Sequence, residues 1–470
     1  MLTETGTSPL ATPGVWTAIR TILRHRLPAY LGVDRAIAYT VAGRATQACG
    51  SIGNILLIVK TLTPAQQGYY YALWSLVALQ SVFELGFSFV ILQLAAHERA
   101  KIHILPNGTI EGSRSAHLRL ASALQRSVRW YSSAALFMGA TLLFGGARFL
   151  SIHQHVGDPD VWTGPLRATV LACVITFSIG PVLSFLEGCG QVTSVAKMRL
   201  VQSLASTAAA WTAMLAHHGL YAPAMVLFAQ GCIAGILIAS RRSLLVPLLR
   251  MNVGSDGIHW GREVWPFQWK IAVSWLCDYF ILQLLTPILF AFRGPIEAGR
   301  MGVSLGIVTQ LGAIMLVWMT TKAAPFGSLI SRGSIPELDK LFFRTLRKSI
   351  IMFAACAAVL LCGVMAASHL TPKLSQRLMN WPVFLLLLLT AIGSHVIQSE
   401  AIYLRAHKCE PFLVQSILIA GSTVATVCAM AKLAGAFGAA LAYFVVLGGF
   451  GVASATWIFV TKRAEWAQAR

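Results

Sequence analysis

The sequence predicts an all-α polytopic membrane protein, with about twelve transmembrane helices in two parallel six-helix halves around a central cavity. Three observations carry this prediction. Only 54 of the 470 residues are Asp, Glu, Lys or Arg, about half the share found in a soluble globular protein. The hydrophobic share is 56% and the mean hydropathy +0.68. Most of the chain resolves into apolar spans of roughly 20 residues, the length that crosses a bilayer as a helix. Together these exclude a soluble enzyme of several water-exposed domains, a disordered scaffold and a disulfide-stapled one. Seven of the nine Cys lie inside apolar spans, Cys189 and Cys409 lie in polar turns, and no Cys-x-x-Cys pair occurs. Neither a zinc site nor a disulfide framework is indicated.

Residues 1–14 have no apolar core and no early positive charge, so they do not form a signal peptide. Val15, Trp16, Ile19, Leu23, Leu27 and Tyr30 then recur at helical spacing opposite Arg20, Arg24 and Arg26. That pattern predicts a helix lying on the membrane surface. Twelve spans follow, at about 37–59, 68–95, 130–149, 165–187, 199–217, 222–240, 266–291, 298–320, 349–369, 383–404, 411–431 and 437–460. The expected organisation is a tail at 1–36, a first half at 37–240, a linker at 241–265, a second half at 266–460 and a tail at 461–470.

Charge sets the sidedness. Of the 37 Lys and Arg, 27 fall in one set of loops, eight in the opposite set, and Arg44 and Lys270 inside spans. The positive-inside rule places both termini in the cytoplasm, and the expected location is the cytoplasmic (inner) membrane. The basic balance is then explained by topology and by membrane lipid, and no nucleic acid is needed as a partner. The largest loops, about 96–129 and 321–348, are cytoplasmic. The second contains Ser334-Ile-Pro-Glu337, a capping-box pattern, followed by an amphipathic stretch with Leu338, Leu341, Phe342 and Leu346. No Walker A sequence occurs and no extramembrane domain is large enough for a nucleotide site, so neither a cofactor nor a metal is expected.

The chain also repeats itself. Pro64-Ala-Gln-Gln-Gly68 before the second span parallels Pro295-Ile-Glu-Ala-Gly299 before the eighth. Glu187 is followed thirteen residues later by Leu200-Val-Gln-Ser203, and Glu400 thirteen residues later by Leu413-Val-Gln-Ser416. Both pairs join spans six apart, which predicts halves related by an axis along the membrane normal.

Leu62-Thr-Pro-Ala-Gln-Gln-Gly-Tyr-Tyr70, followed by Glu84-Leu-Gly86, resembles the start of the polysaccharide-biosynthesis flippases. These O-antigen-type proteins belong to the multidrug/oligosaccharidyl-lipid/polysaccharide (MOP, MATE-like) exporter superfamily. Pro266-Phe-Gln-Trp-Lys270 through Pro295 and Gly299 resembles their second half. The acid of the motif is often Asp, and Glu84 keeps the charge with a longer reach. The resemblance implies a substrate, a polyprenyl-diphosphate-linked oligosaccharide moved between leaflets by alternating access without ATP. It also implies a role in lipopolysaccharide or other surface-polysaccharide synthesis, with synthase or polymerase proteins as possible partners.

Intramembrane charges are costly and usually face a cavity. Arg44 begins a stripe on the first span with Gln47, Ser51 and Asn54. Further stripes comprise Gln80, Glu84 and Ser88 on the second span, Lys270, Ser274 and Asp278 on the seventh, and Thr390, Ser394 and Gln398 on the tenth. They predict a wet interior. Arg44 offers a planar set of donors for diphosphate oxygens, Lys270 a point charge, and Gln47, Ser51 and Asn54 partners for sugar hydroxyls. Glu84 and Asp278 are candidates for coupling or gating, or for a fixed ion pair with Arg44. Glu187 and Glu400 are expected to pair with loop Arg or Lys as duplicated bridges, and His395 to be a hydrogen-bonded core residue. Gly180-Pro181 and Thr286-Pro287 are candidate kinks. Two other functions compete. An enzyme, a glycosyltransferase or polymerase, would use Asp158 and Asp160, although Asp-Pro in a short loop is commonly a turn. A multidrug exporter would make less use of the cationic Arg44 stripe.

Overall fold

A computed structural model describes residues 35–468, apart from 100, 106–108, 153–159, 255–256, 323–324, 327–328, 331–332, 371–374 and 408–410. The expected surface helix around Val15–Tyr30 and the Asp158 position lie outside the described residues.

Each of the twelve expected spans coincides with helix. The first is α1 (Arg35–Thr61). The second is three pieces, α2 (Pro64–Ala78), α3 (Gln80–Glu84) and α4 (Phe87–Arg99). Then come α5 (Arg114–Ile152), α6 (Asp160–Gly188), α7 (Val192–Leu215) and α8 (Ala222–Ser240). A short amphipathic helix, α9 (Arg242–Arg250), opens the linker, and a π-helical turn at Trp260–Val264 closes it. The seventh span is α10 (Trp265–Leu282) with α11 (Leu285–Arg293), and α12 (Pro295–Thr320), α13 (Ile335–Leu370) and α14 (Trp381–Ala406) follow. The last stretch is α15 (Leu413–Tyr443), a π-helical segment at Phe444–Gly451, and α16 (Val452–Gln468).

Among the described residues, seven helices are long and apolar enough to cross a membrane, or up to nine when each bent pair counts as one span. Residues 413–466 count there as a single span, yet the Gln415 side chain hydrogen-bonds the carbonyl of Gly451 at 2.8 Å. A straight helix would hold those residues about 54 Å apart. The chain therefore folds back between them, at Ala434–Gly435, where the backbone leaves helical geometry and Gly435 takes φ 61°. The helices that miss the apolar test, α1 and α7, pack on each other. Gly43, Gly50 and Gly53 of α1 lie against Leu200, Thr207 and Trp211 of α7, and small residues of this kind let helices approach closely.

The two bends have different causes. In the seventh span the chain breaks at Gln283–Leu284, giving a 47° bend just before Pro287. The proline ring crowds the carbonyl four residues back, which is that of Gln283. In the second span the break falls at Leu85–Gly86, with φ 51° and 66° and a 45° bend. Two successive left-handed residues end any α-helix. The freed carbonyl of Leu85 accepts a 2.8 Å bond from the Gln268 side chain of α10. The helix around Gly180-Pro181 continues without a break, as α6.

The two large loops hold more structure than expected. The first carries a small antiparallel ribbon, Ile102–Ile104 with Ile110–Gly112, and then the first turns of α5. In the second, α13 starts directly after Ser334, and its amphipathic beginning runs unbroken into the ninth span. Leu338 and Phe342 on that turn pack with Tyr403 and Phe459 in a secondary core.

Helices α1 to α8 pack chiefly on one another, as do α10 to α16. The main contact between the sets is α2 on α12. Thr63 caps the start of α2 through a reciprocal box with Gln66, and Pro295, at the start of α12, lies against Gly68. The two glycines that end the repeated segments, Gly68 and Gly299, lie in this contact. Gly302 lies against Tyr71 one turn further along.

Candidate functional site

The α1 stripe stands on the side of that helix next to its glycine face. Arg44 and Gln47 are exposed, and Ser51 and Asn54 half-buried. Ser51 Oγ donates to the Gln47 carbonyl at 2.8 Å and accepts 3.2 Å from Gln310 Nε2 of α12. The stripe therefore touches the second helix set at its midpoint. The Oδ1 atom of Asn54 is buried without a described partner.

The other stripes reach two separate cavities. One, of about 250 Å³, lies among α3, α4, α5, α6, α7 and α8 and is lined by Gln80, Glu84 and Ser88. Ser88 Oγ is 3.0 Å from the Tyr131 hydroxyl, and Gln80 donates to the Cys173 carbonyl at 3.3 Å. The other, of about 340 Å³, is lined by Ser274, Asp278, Ser394 and Gln398. There Gln398 Nε2 donates to Ser394 Oγ at 3.1 Å. Thr390 is buried and donates to its own helix. Glu84 and Asp278 are thus placed in different helix sets, and Arg44 lines neither cavity. Lys270 is exposed near the start of α10, its ammonium 6.0 Å from the centre of the Trp269 ring.

The repeated Leu-Val-Gln-Ser segment builds the same bond twice. Gln202 of α7 donates to the Gln230 carbonyl of α8 at 2.8 Å, and Gln415 of α15 to the Gly451 carbonyl at 2.8 Å. Each glutamine lines the cavity of its own set. The repetition of the segment was the signal that could have marked these two glutamines as polar lining. Tyr131 carries no such signal, because it reads as one aromatic in an apolar run.

The two repeated acids part company. Glu187 pairs with Arg199 at 3.0 Å. Among the described residues Glu400 pairs with no loop cation; it accepts 2.8 Å from Thr456 Oγ1 of α16, and it is 3% exposed. Arg405, five residues further along α14, is turned about 140° away from Glu400 around the helix axis. His395 is buried, with Nε2 2.8 Å from Ser349 Oγ. Burial pushes the Cys189 thiol up to about 12, far from a reactive thiolate. Among the described residues no group of three His, Cys, Asp or Glu could hold a metal ion.

The ends of the bundle differ. At the end that carries Pro64 and Pro295, Arg377 donates to the carbonyls of Leu62 and Val59 and to Gln67 Oε1, while Gln67 Nε2 donates to the Arg377 carbonyl at 3.2 Å. Burial draws the Arg377 pKa below that of a free arginine. At the arginine-rich end, Arg119 joins the buried Glu98 at 2.8 Å and Glu263 of the linker at 2.6 Å. Arg463 joins Asp339 at 2.7 Å.

This architecture has known counterparts among solved structures. The lipid II flippase MurJ, in an inward closed conformation, aligns with TM-score 0.61 and 10% identity, covering 88% of this chain and 86% of its own. An inward-facing multidrug resistance MATE transporter aligns at 0.56 and 12%, covering 90% and 98%. A MOP superfamily transporter from Pyrococcus furiosus aligns at 0.56 and 11%, covering 92% and 94%. The chain has the MOP transporter fold. No protein-family profile matches the sequence, and no curated protein matches it. The fold likeness thus spans nearly the whole chain at identities that carry no residue-level correspondence.

Proposed function

We propose that the protein is a flippase for a polyprenyl-diphosphate-linked oligosaccharide in the cytoplasmic membrane. The observation that carries this reading is the α1 stripe, a cation and three neutral polar residues in a row, touching α12 of the other set through Ser51 and Gln310. A diphosphate cannot enter hydrocarbon unpaired, and a guanidinium on such a stripe supplies charge and directed donors together. Gln47, Ser51 and Asn54 offer partners to sugar hydroxyls, while the prenyl chain stays in lipid.

Residues 37–240 and 266–460 act as two halves that rock about the α2–α12 contact. The arginine-rich end faces the cytoplasm, and the Pro64/Pro295 end faces outward and is closed in this conformation. The bends at Leu85–Gly86 and Gln283–Leu284 are the hinges. Glu84, Asp278, Glu187 and Glu400 are gating or coupling groups, and Lys270 meets the head group near the cytoplasmic face. The fold neighbours support a transporter over an enzyme, and the lipid II flippase among them supports a lipid-linked cargo.

The test is reconstitution in liposomes with a polyprenyl-diphosphate oligosaccharide, reading access of the glycan to a membrane-impermeant sugar oxidant. The wild type exchanges glycan between leaflets at constant glycan size, and Arg44→Ala slows exchange at least about tenfold while the protein still inserts. An Arg44→Ala rate equal to wild type removes the stripe from the mechanism. Changed glycan size instead indicates an enzyme. Absent exchange together with export of a lipophilic cation favours a multidrug exporter, the function named for the MATE neighbour.

A further inference from the structure

A groove of about 470 Å³ opens at the arginine-rich end, between the end of α12 and residues 341–348 of α13. Its two walls are fixed to each other. The Lys322 amide donates to the Met319 carbonyl at 2.9 Å, which carries the turn of α12 on past Thr320, and the Lys322 carbonyl accepts from the Phe326 amide at 2.9 Å. Phe326 is fully buried against Phe342 of α13, with ring centres 6.1 Å apart. On the α13 side Thr345 is buried and donates to the Leu341 carbonyl at 2.7 Å. The groove is therefore part of the fold.

Its charge is one-sided. Lys322, Arg344 and Lys348 line it from two helices, and none of its lining residues is acidic. The sequence has no Asp or Glu between Glu297 and Glu337, so the connection from α12 to α13 supplies no carboxylate. It has none between Asp339 and Glu400 either, so the rest of α13 supplies none. Asp339 is bound to Arg463 at 2.7 Å and accepts from the Tyr403 hydroxyl at 2.8 Å. Glu337 lies outside the lining, seven residues before Arg344 and about 10 Å back along the helix axis. Among the described residues no carboxylate pairs with the three cations.

Depth narrows the ligand. Along each wall the cations give way to exposed apolar side chains. Ile351, seven residues after Arg344 and so on the same face of α13, is 63% exposed. Trp318 of the lining is exposed, and so is Ile314 one turn before it on α12. An exposed tryptophan between apolar side chains and cations marks the headgroup level of a bilayer. The groove is also separate from the interior. Leu316 and Thr320, which line the 340 Å³ cavity, are turned about 150° around α12 from Trp318 and Thr321 of the groove.

We propose that this groove holds the phosphate of an anionic phospholipid from the leaflet at the arginine-rich end. A guanidinium fork and two ammonium groups suit phosphate oxygens, and the acyl chains run over Ile314 and Ile351. A phospholipid satisfies both features at once, the convergent cations and the apolar face beyond them. The site is separate from the α1 stripe and does not depend on what the protein translocates.

The test is native mass spectrometry of the full-length protein, titrated in parallel with phosphatidylglycerol and phosphatidylcholine and reading the first lipid bound. The wild type binds phosphatidylglycerol about tenfold or more tighter, and equal affinity for the two lipids overturns the proposal. Arg344→Gln/Lys348→Gln weakens phosphatidylglycerol binding about tenfold or more. Lys340→Gln/Arg347→Gln removes the same charge from the same helix outside the groove and stays within about twofold of wild type. Wild-type affinity in the first variant overturns the proposal, and so does an equal loss in the second, which would mean general surface attraction. If the first variant fails to fold by circular dichroism, Lys322→Gln alone is read in the same assay. About threefold weakening supports the site, and no change overturns it. Glycerol 3-phosphate at the concentration of the lipid leaves the lipid bound. Displacement by it would mean a soluble phosphate ligand and would overturn the lipid assignment.

Discussion

Gly68 and Gly299 hold the same place in two repeated Pro-x-x-x-Gly segments, and in the folded chain they lie backbone against backbone. A methyl group on Gly299 would stand 2.8 Å from the Gly68 amide nitrogen and 3.1 Å from its Cα. The repeat thus brings its own two copies together where α2 crosses α12.

Gly299→Val should therefore separate α2 from α12. The added side chain meets main chain, which cannot rotate away, so the expected loss is about 1–3 kcal/mol. A thermal melt in detergent reads it. Gly306→Val, on the same helix with open space around the added group, is the control and should melt near wild type.

Arg377→Gln should loosen the same end by another route. The guanidinium serves the carbonyls of Val59, in the last turn of α1, and of Leu62, just beyond it, as well as Gln67 Oε1. Losing it should cost about 1–3 kcal/mol. Amide hydrogen exchange at residues 59–67 should speed up, while exchange at residues 98–119 stays unchanged. Equal acceleration at both ends would mean global destabilisation.

The two repeated glutamines should differ in weight despite their common role. Gln202→Leu removes one amide–carbonyl bond, an expected loss of about 0.5–1.5 kcal/mol. Gln415→Leu removes the bond to Gly451 and another to Ser454 Oγ at 2.8 Å, from a residue 8% exposed, and should lose about twice as much. Paired chemical melts would check the ranking, and equal losses would contradict it.

Glu263 gives a pH signature. Hydrogen bonds from Arg119 and from the His259 amide hold its carboxyl down to about 2, below the ordinary carboxylate value. A depressed folded pKa contributes stability that is complete above the unfolded value near 4.5 and fades as pH falls toward 2. The gap in melting temperature between wild type and Glu263→Gln should be constant from pH 8 to about pH 5 and close below that. Because Glu263 is partly exposed, the gap should correspond to under about 1 kcal/mol. A gap that opens on acidification would refute the assignment.

Much of this fold was legible because apolar length and repetition are properties of the chain alone. The twelve spans and the fold-back near Gly435 follow from them. The bend before Pro287 was legible too, since proline acts locally. The bend at Leu85–Gly86 was not, because a Leu-Gly pair forces a left-handed turn only when a partner such as Gln268 receives the freed carbonyl. The site was legible by residue type and not by arrangement. Helical spacing put Gln80, Glu84 and Ser88 on one face, yet tertiary packing decided that this face and that of Asp278 open into different cavities. Glu400 shows the same limit. Its repeat partner Glu187 meets Arg199, but the helix packed against Glu400 presents Thr456 instead.

The two ends of the bundle are held by different forces. At the Pro64/Pro295 end the described fastenings are backbone contacts and hydrogen bonds to carbonyls, whereas Arg119 with Glu98 and Glu263, and Arg463 with Asp339, hold the other end by charge. Ionic strength acts on the second kind and hardly on the first. Adding salt would therefore weaken the partly exposed Arg119–Glu263 and Arg463–Asp339 pairs while leaving the fastenings of the Pro64/Pro295 end nearly unchanged.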